Sequence, residues 1–261
     1  MLITDEMPVK TLAHYRRELD QLRRSIECAW ACTNAGHSTG TASQLLAAGM
    51  LAHAVTHAEA VYNLFCLGYD NAAAIIVRSM AELAIDCAYI WTRDTEERAR
   101  RYIRHAVAAA VKVAESLSDG EARITTMLRA PRGVLPAHVK SVADAKRWVK
   151  QEFGPKAEWT PVALPDRAKE AGVSPMYQMI YRLGCTEAHS NVAALPIFGP
   201  DPSSVVVKTG ARLPDGAAWV IGASGALLFV LASVVEAGGA DAARVSALAD
   251  EWTVTANKKG G

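Results

Sequence analysis

Four sets of residues have types and spacings that could do chemistry. The first lies in YRLGCTEAHSN, residues 181–191. Arg182 and His189 are seven residues apart, nearly two helical turns, so on a helix they share almost one face about 10 Å apart along the axis. Cys185 and Thr186 fall between them on that face, Gln178 sits one turn before Arg182, and Glu187 points elsewhere. A guanidinium and an imidazole so placed can hold one phosphate or carboxylate, and the imidazole can move a proton near neutral pH. On residue identity alone, a core or capping His beside a surface Arg is the simpler account.

The second set lies in NAAAIIVRSMAELAIDCAYIW, residues 71–91. Its only charges are Arg78, Glu82 and Asp86. At i, i+4 and i+8 they form one stripe on an otherwise apolar rod. Charge on a central helix is costly unless paired or used. The stripe is therefore either a solvent face with an Arg78–Glu82 ion pair, or the lining of an interior cleft or partner surface.

The third set is TRDTEERARRYIRHAVAAA, where Arg98, Arg101 and His105 share a face and Arg93, Arg100 and Arg104 add charge. The plainest reading is a solvated face, with Glu96 and Glu97 pairing forward to Arg100 and Arg101. The functional reading is a local basic patch for RNA phosphates, carried by Arg98, Arg101, Arg104 and His105. The fourth set is His53 and His57, which at i and i+4 can share a metal ion in a bundle. Glu59 is off their face, and no second ligand pair with suitable spacing accompanies them. His189 is the remaining third-ligand candidate for a metal-binding bundle, and no metal or cofactor is expected on so sparse a set.

The elements that must position these residues read as helices. Apolar positions recur at helical spacing over about 8–34, 40–67 and 71–92. Gly68 ends the second of these, and Asp70 is placed to cap the third. Asp94 or Thr95 begins a fourth helix running to about 117, with Glu96 and Glu97 in the first turn, where the helix dipole favours acids. A short helix near 120–129 and an exposed amphipathic helix over about 137–152 follow. FGPKAEWTPVALP reads as a Pro-rich loop. Residues 174–190 return to helix, and helices over 216–236 and 241–255 close the chain. SSVVVKT, 203–209, is compatible with one strand of a short hairpin near 203–213. GASGA, 222–226, falls short of a serine-hydrolase elbow, because Ala226 replaces the second glycine and no strand precedes it.

The expectation is an all-α bundle of seven to nine helices. It forms a single domain over 1–261, with core segments about 40–118 and 174–256 and a variable insertion at about 119–173. The 261 residues are 51% hydrophobic, ample for such a core. Acids number 27 and bases 28, so no global field attracts nucleic acid or anionic membrane. Cys28, Cys32, Cys66, Cys87 and Cys185 show no CxxC and read as reduced core thiols of a cytoplasmic protein. MLITDEMPVK lacks a secretory pattern. Gly216–Val235 carries no charge over twenty residues, long enough to cross a bilayer. Its Ala, Gly and Ser content and its flanking Asp215 and Glu236 favour a buried central helix instead, with no membrane partner.

The order of these pieces resembles a widespread bacterial family of uncharacterised helical proteins. There an apolar-Arg-Ser-apolar-apolar-Glu helix precedes a Tyr-x3-Ser-x3-His helix. Arg78 to Glu82 fits the first block, Tyr181 and His189 fit the second, and Cys185 stands where Ser is frequent. The match spans about residues 55–195. The pattern also resembles the HEPN superfamily, helical bundles that include ribonucleases of defence and toxin systems, whose hallmark is an Arg followed after four to six residues by His. That resemblance implies a HEPN-like core, metal-independent RNA cleavage with Arg182 and His189 catalytic and Arg78 and Glu82 supporting, a homodimer, and a cognate antitoxin or other protein partner. The chain departs from the pattern at Leu183, where catalytic members carry a polar residue. A non-catalytic binding or scaffold module is the alternative.

Overall fold

A computed structural model of the chain describes residues 13–34, 40–115, 139, 141–188, 216–238 and 241–257. Of these residues 85% are helical and none forms a strand. The expected short helix at 120–129, the hairpin near 203–213 and His189 lie outside the described residues. Nine α-helices are described: α1 (Arg16–Asn34), α2 (Ala42–Cys66), α3 (Asp70–Thr92), α4 (Thr95–Glu115), α5 (Val142–Phe153), α6 (Leu164–Glu170), α7 (Arg182–Ala188), α8 (Gly216–Glu236) and α9 (Ala242–Asn257). A π-helical segment, Met176–Tyr181, runs directly into α7.

The uncharged helix α8 is the centre of the bundle. It packs on α1, α2, α3 and α9, and 72% of its most apolar window is buried. Its small residues let neighbours approach closely. A Cβ on Gly225 would stand 2.7 Å from the Trp252 ring, and one on Gly222 would stand 2.9 Å from Ile180. GASGA is thus a packing surface, and Trp252 further donates Nε1–H to the Ile221 carbonyl at 3.0 Å.

Helix ends follow local chemistry with two departures from expectation. Thr41 and Gln44 form a capping box at the start of α2. The Glu96 carboxylate crosses from α4 to accept the Ala42 and Ser43 N–H groups at 2.9 and 3.0 Å. These bonds hold the Glu96 carboxyl below its ordinary range, although its partial burial acts the other way. Asp70 does not cap α3. It is the first residue of that helix, buried, and Tyr69 occupies the capping position without a side-chain bond.

The second departure is α6, which begins inside the stretch expected to be loop. Pro165 sits in its first turn, where the missing N–H costs nothing and the fixed φ suits the helix. Likewise α5 is not simply an exposed amphipathic helix. Trp148, Val149 and Phe153 bury against Val107, Ala108 and Val111 of α4 in a second small core.

Candidate functional site

The charged stripe of α3 is covered at its Asp86 end and reaches solvent at Glu82. While Val77, Ala81 and Ile85 face the core, the stripe turns to the side on which α6, the π-helical segment and α7 pack. Arg78 is the anchor. Its Nε–H donates to Cys185 Sγ at 3.1 Å and its NH2 group to the Tyr181 hydroxyl at 3.0 Å. The guanidinium carbon also lies 4.7 Å from the Tyr181 ring centroid, within cation–π range. Glu82 stands at the solvent edge, 3.9 Å from Arg78, a loose pair.

These neighbours tune the charges. The bond to Cys185, with help from Tyr181 and Glu82, raises the already high Arg78 pKa despite some burial. Burial, then the nearby Glu82, raises Tyr181, so it stays a neutral phenol at physiological pH and serves as donor and acceptor. Tyr177 stacks on it with ring centroids 5.4 Å apart.

Gly184 sets the distance between α7 and α3. A Cβ there would lie 2.5 Å from Arg78 Cβ and 3.3 Å from the Ala74 carbonyl oxygen, so backbone meets side-chain stem directly. The π-helical segment sets the facing. Its wider turn precedes α7, so that Tyr181 and Cys185, one α-turn apart, both face α3. Arg182 then falls at the head of α7 with its side chain exposed, as is Leu183. Arg182 has no ionic partner among the described residues. Cys185, expected on the face of Arg182, instead turns toward Arg78.

Asp86 lies further along the same helix and serves a different purpose. It is buried and forms an ion pair with Arg167 of α6. Burial pushes its carboxyl up to about 7, against the opposing pull of Arg167. Arg167 stacks 5.3 Å from the Trp159 ring, and its Nε–H is buried without an acceptor among the described residues. The stripe thus splits into an Arg78–Glu82 end near solvent and an Asp86 end inside.

The arginines of α4 are engaged within the chain. Arg98 donates to the Tyr89 carbonyl, to Thr92 Oγ1 and to Glu170. Arg101 donates to the Trp159 carbonyl, and Arg104 pairs with Glu152 at 2.8 Å. His105 donates Nε2–H to the Ala157 carbonyl at 2.7 Å, and burial lowers its pKa. Together they fasten residues 152–170 to the bundle. Arg100 pairs with Glu96 and Glu97 as expected, but Arg101 does not pair with Glu97.

His53 and His57 have ring centroids 4.1 Å apart, and His57 Nδ1 is taken by the His53 carbonyl. Burial and the neighbouring His57 lower the His53 pKa. No group of three or more His, Cys, Asp or Glu suited to a metal occurs among the described residues. All five cysteines are free thiols. Burial pushes Cys28 up to about 11 and Cys87 up to about 12, which makes them packing residues and not nucleophiles.

Sequence reasoning missed Trp159, Arg167, Glu170 and Gly184. Gly184 had a signal, since an isolated glycine in a helical pattern has a packing reason. The other three lay in or just past a stretch whose prolines hid a helix. No curated protein and no solved structure matches the chain. Residues 44–201 match the model of a family of unknown function (DUF5677), a range that contains Arg78, Glu82, Asp86, Tyr181, Arg182, Cys185 and His189.

Proposed function

The chain belongs to the family of unknown function DUF5677, and from that premise we propose that it is a HEPN-like helical protein that cleaves RNA without a metal. Arg182 and His189 are the catalytic pair of this reading, with Arg78 and Glu82 supporting. The observation that carries it is Arg182 itself. Its side chain is exposed and unpaired among the described residues, and it begins a helix that docks on α3 through the bonds of Arg78 to Tyr181 and Cys185 and the close approach at Gly184. A guanidinium with no carboxylate partner suits an anionic transition state better than one already neutralised.

In the reaction the 2′-hydroxyl attacks the adjacent phosphorus and the 5′-oxygen of the next nucleotide leaves, giving a cyclic phosphate end. His189 takes the hydroxyl proton or delivers one to the leaving oxygen. Arg182 stabilises the charge gathering on the non-bridging oxygens. Tyr181, kept neutral, and Cys185 hold Arg78 in place and take no proton. We expect mixed RNA incubated in EDTA to be cleaved, and His189→Ala or Arg182→Ala to lower the rate by roughly 10²–10⁴-fold. Equal cleavage by the wild type and His189→Ala sinks the reading. In a defence or toxin setting, expression arrests growth and Arg182→Ala relieves the arrest.

The second reading is a non-catalytic module that binds a protein partner. It is favoured by the apolar surface beside Arg182, where Met179 and Leu183 are 62% and 53% exposed. RNA left intact, together with a captured partner lost on Leu183→Asp, selects it.

A further inference from the structure

The α4 arginines are tied into the fold; a second basic surface lies exposed on α1. Along α1, Leu19, Leu22, Ile26 and Ala29 pack inward while Arg16, Arg17, Asp20, Arg23, Arg24, Glu27 and Trp30 are exposed. Arg16, Arg17, Arg23 and Arg24, with Asp20 between them, line an open concavity of about 450 Å³. Arg23 touches Asp20 at 3.7 Å and Glu27 at 3.3 Å, and Arg24 touches Glu251 at 2.8 Å. These pairs are all exposed, and exposed pairs exchange readily for phosphate because each contributes little.

Two further features favour a single strand over a duplex or a lipid surface. The arginines fall in two pairs seven residues apart, roughly 10 Å along the helix axis, so they track a line and not a plane. Trp30 continues that line one turn beyond Glu27. It is 41% exposed, and its Nε1–H is fixed at 2.7 Å by Glu59 of α2. A ring held at one edge and open to solvent can stack an unpaired base, which a duplex does not offer. Among the described residues no apolar girdle flanks the arginines, as insertion into a membrane surface would need.

We propose that this face of α1 binds single-stranded RNA, with Arg16, Arg17, Arg23 and Arg24 on the phosphates and Trp30 against a base. The surface lies outside the range matched by the family model. It belongs to a helix that packs on α2, α8 and α9 and not on α3 or α7. It therefore does not depend on the catalytic reading of Arg182.

The test is fluorescence anisotropy of the full chain with a labelled 20-nucleotide oligouridylate, titrated across salt. Four phosphate contacts give a log–log salt slope of about −2.8 for a single strand. The double variant Arg16→Gln/Arg23→Gln should be shallower by about 1.4, and Trp30→Leu should weaken binding about tenfold. The same titration is run with the 2′-O-methyl oligomer, which has no 2′-hydroxyl nucleophile and cannot be cleaved by the proposed route, so failure here and failure of the cleavage reading remain distinguishable. Wild-type affinity and slope in the folded double variant overturn the proposal. So does tighter binding to a duplex of equal length, or to phosphatidylserine vesicles, than to the oligomer. If the double variant does not fold, Arg16→Gln alone carries the same test, with an expected change in slope of about 0.7.

Discussion

Gly184 is where one atom decides geometry. An added methyl meets the Arg78 stem at 2.5 Å, closer than packed carbons tolerate. Gly184→Ala should cost about 1–3 kcal/mol in denaturant unfolding through overpacking. Gly49, inside α2 with nothing within 4 Å of an added Cβ, is the contrast, and Gly49→Ala should stabilise by about 0.5–1 kcal/mol. Equal effects at the two positions would show that α7 does not rest on α3 through Gly184. The same scale shows what could be read in advance. Arg78, Glu82 and Asp86 stood out because they break an apolar pattern. Their partners Tyr181, Cys185 and Arg167 did not stand out as partners, because residues over 80 apart in the chain meet only through tertiary packing.

Among elements, the segment from Ala157 to Glu170 behaves as a strap. It adds Trp159 and Ala168 to the core and is held by Asp86 of α3 through Arg167 and by side chains reaching from α4: Arg98 to Glu170, Arg101 to Trp159 and His105 to Ala157. Arg98→Ala should raise amide exchange over 164–170 while leaving α1 and α8 protected, since locally opened units are those with few buried contacts. Uniform loosening across all helices would contradict this division. Periodicity located α1 to α4, α8 and α9 well, because long amphipathic or uniformly apolar stretches advertise themselves. It missed α6 because a proline was taken as an interruption where it is a start. It could not detect the π-helical segment, whose residues Met176–Tyr181 look like any other helical stretch.

The whole molecule carries a pH signature through Asp86. Its folded carboxyl titrates at about 7, against about 3.9 in an unfolded chain. The native state therefore binds the proton more tightly, and this contribution to stability is complete below about pH 4 and lost as pH rises through 7. His53 and His105, both lowered by burial, act in the opposite sense, since their contribution is lost on acidification. Comparing melting temperatures of the wild type and Asp86→Asn separates the two effects. The variant carries a neutral amide at every pH, so it should melt close to the wild type near pH 4, where Asp86 is protonated, and progressively higher than the wild type as pH rises through 7, where the wild type must bury the charge. A variant that falls progressively below the wild type over that range would reverse the assignment.

The wide turn at Met176–Tyr181 has a consequence for comparing relatives. A π-turn holds one residue more than the α-turn it replaces, so deleting a single residue there would leave a continuous helix. The bulge absorbs the extra residue within one turn, so the side chains from Arg182 onward would keep their facing relative to α3. A family member one residue shorter at this point would therefore present the same downstream face from an uninterrupted α-helix. An ungapped alignment across 176–182 would pair the wrong residues with Arg182.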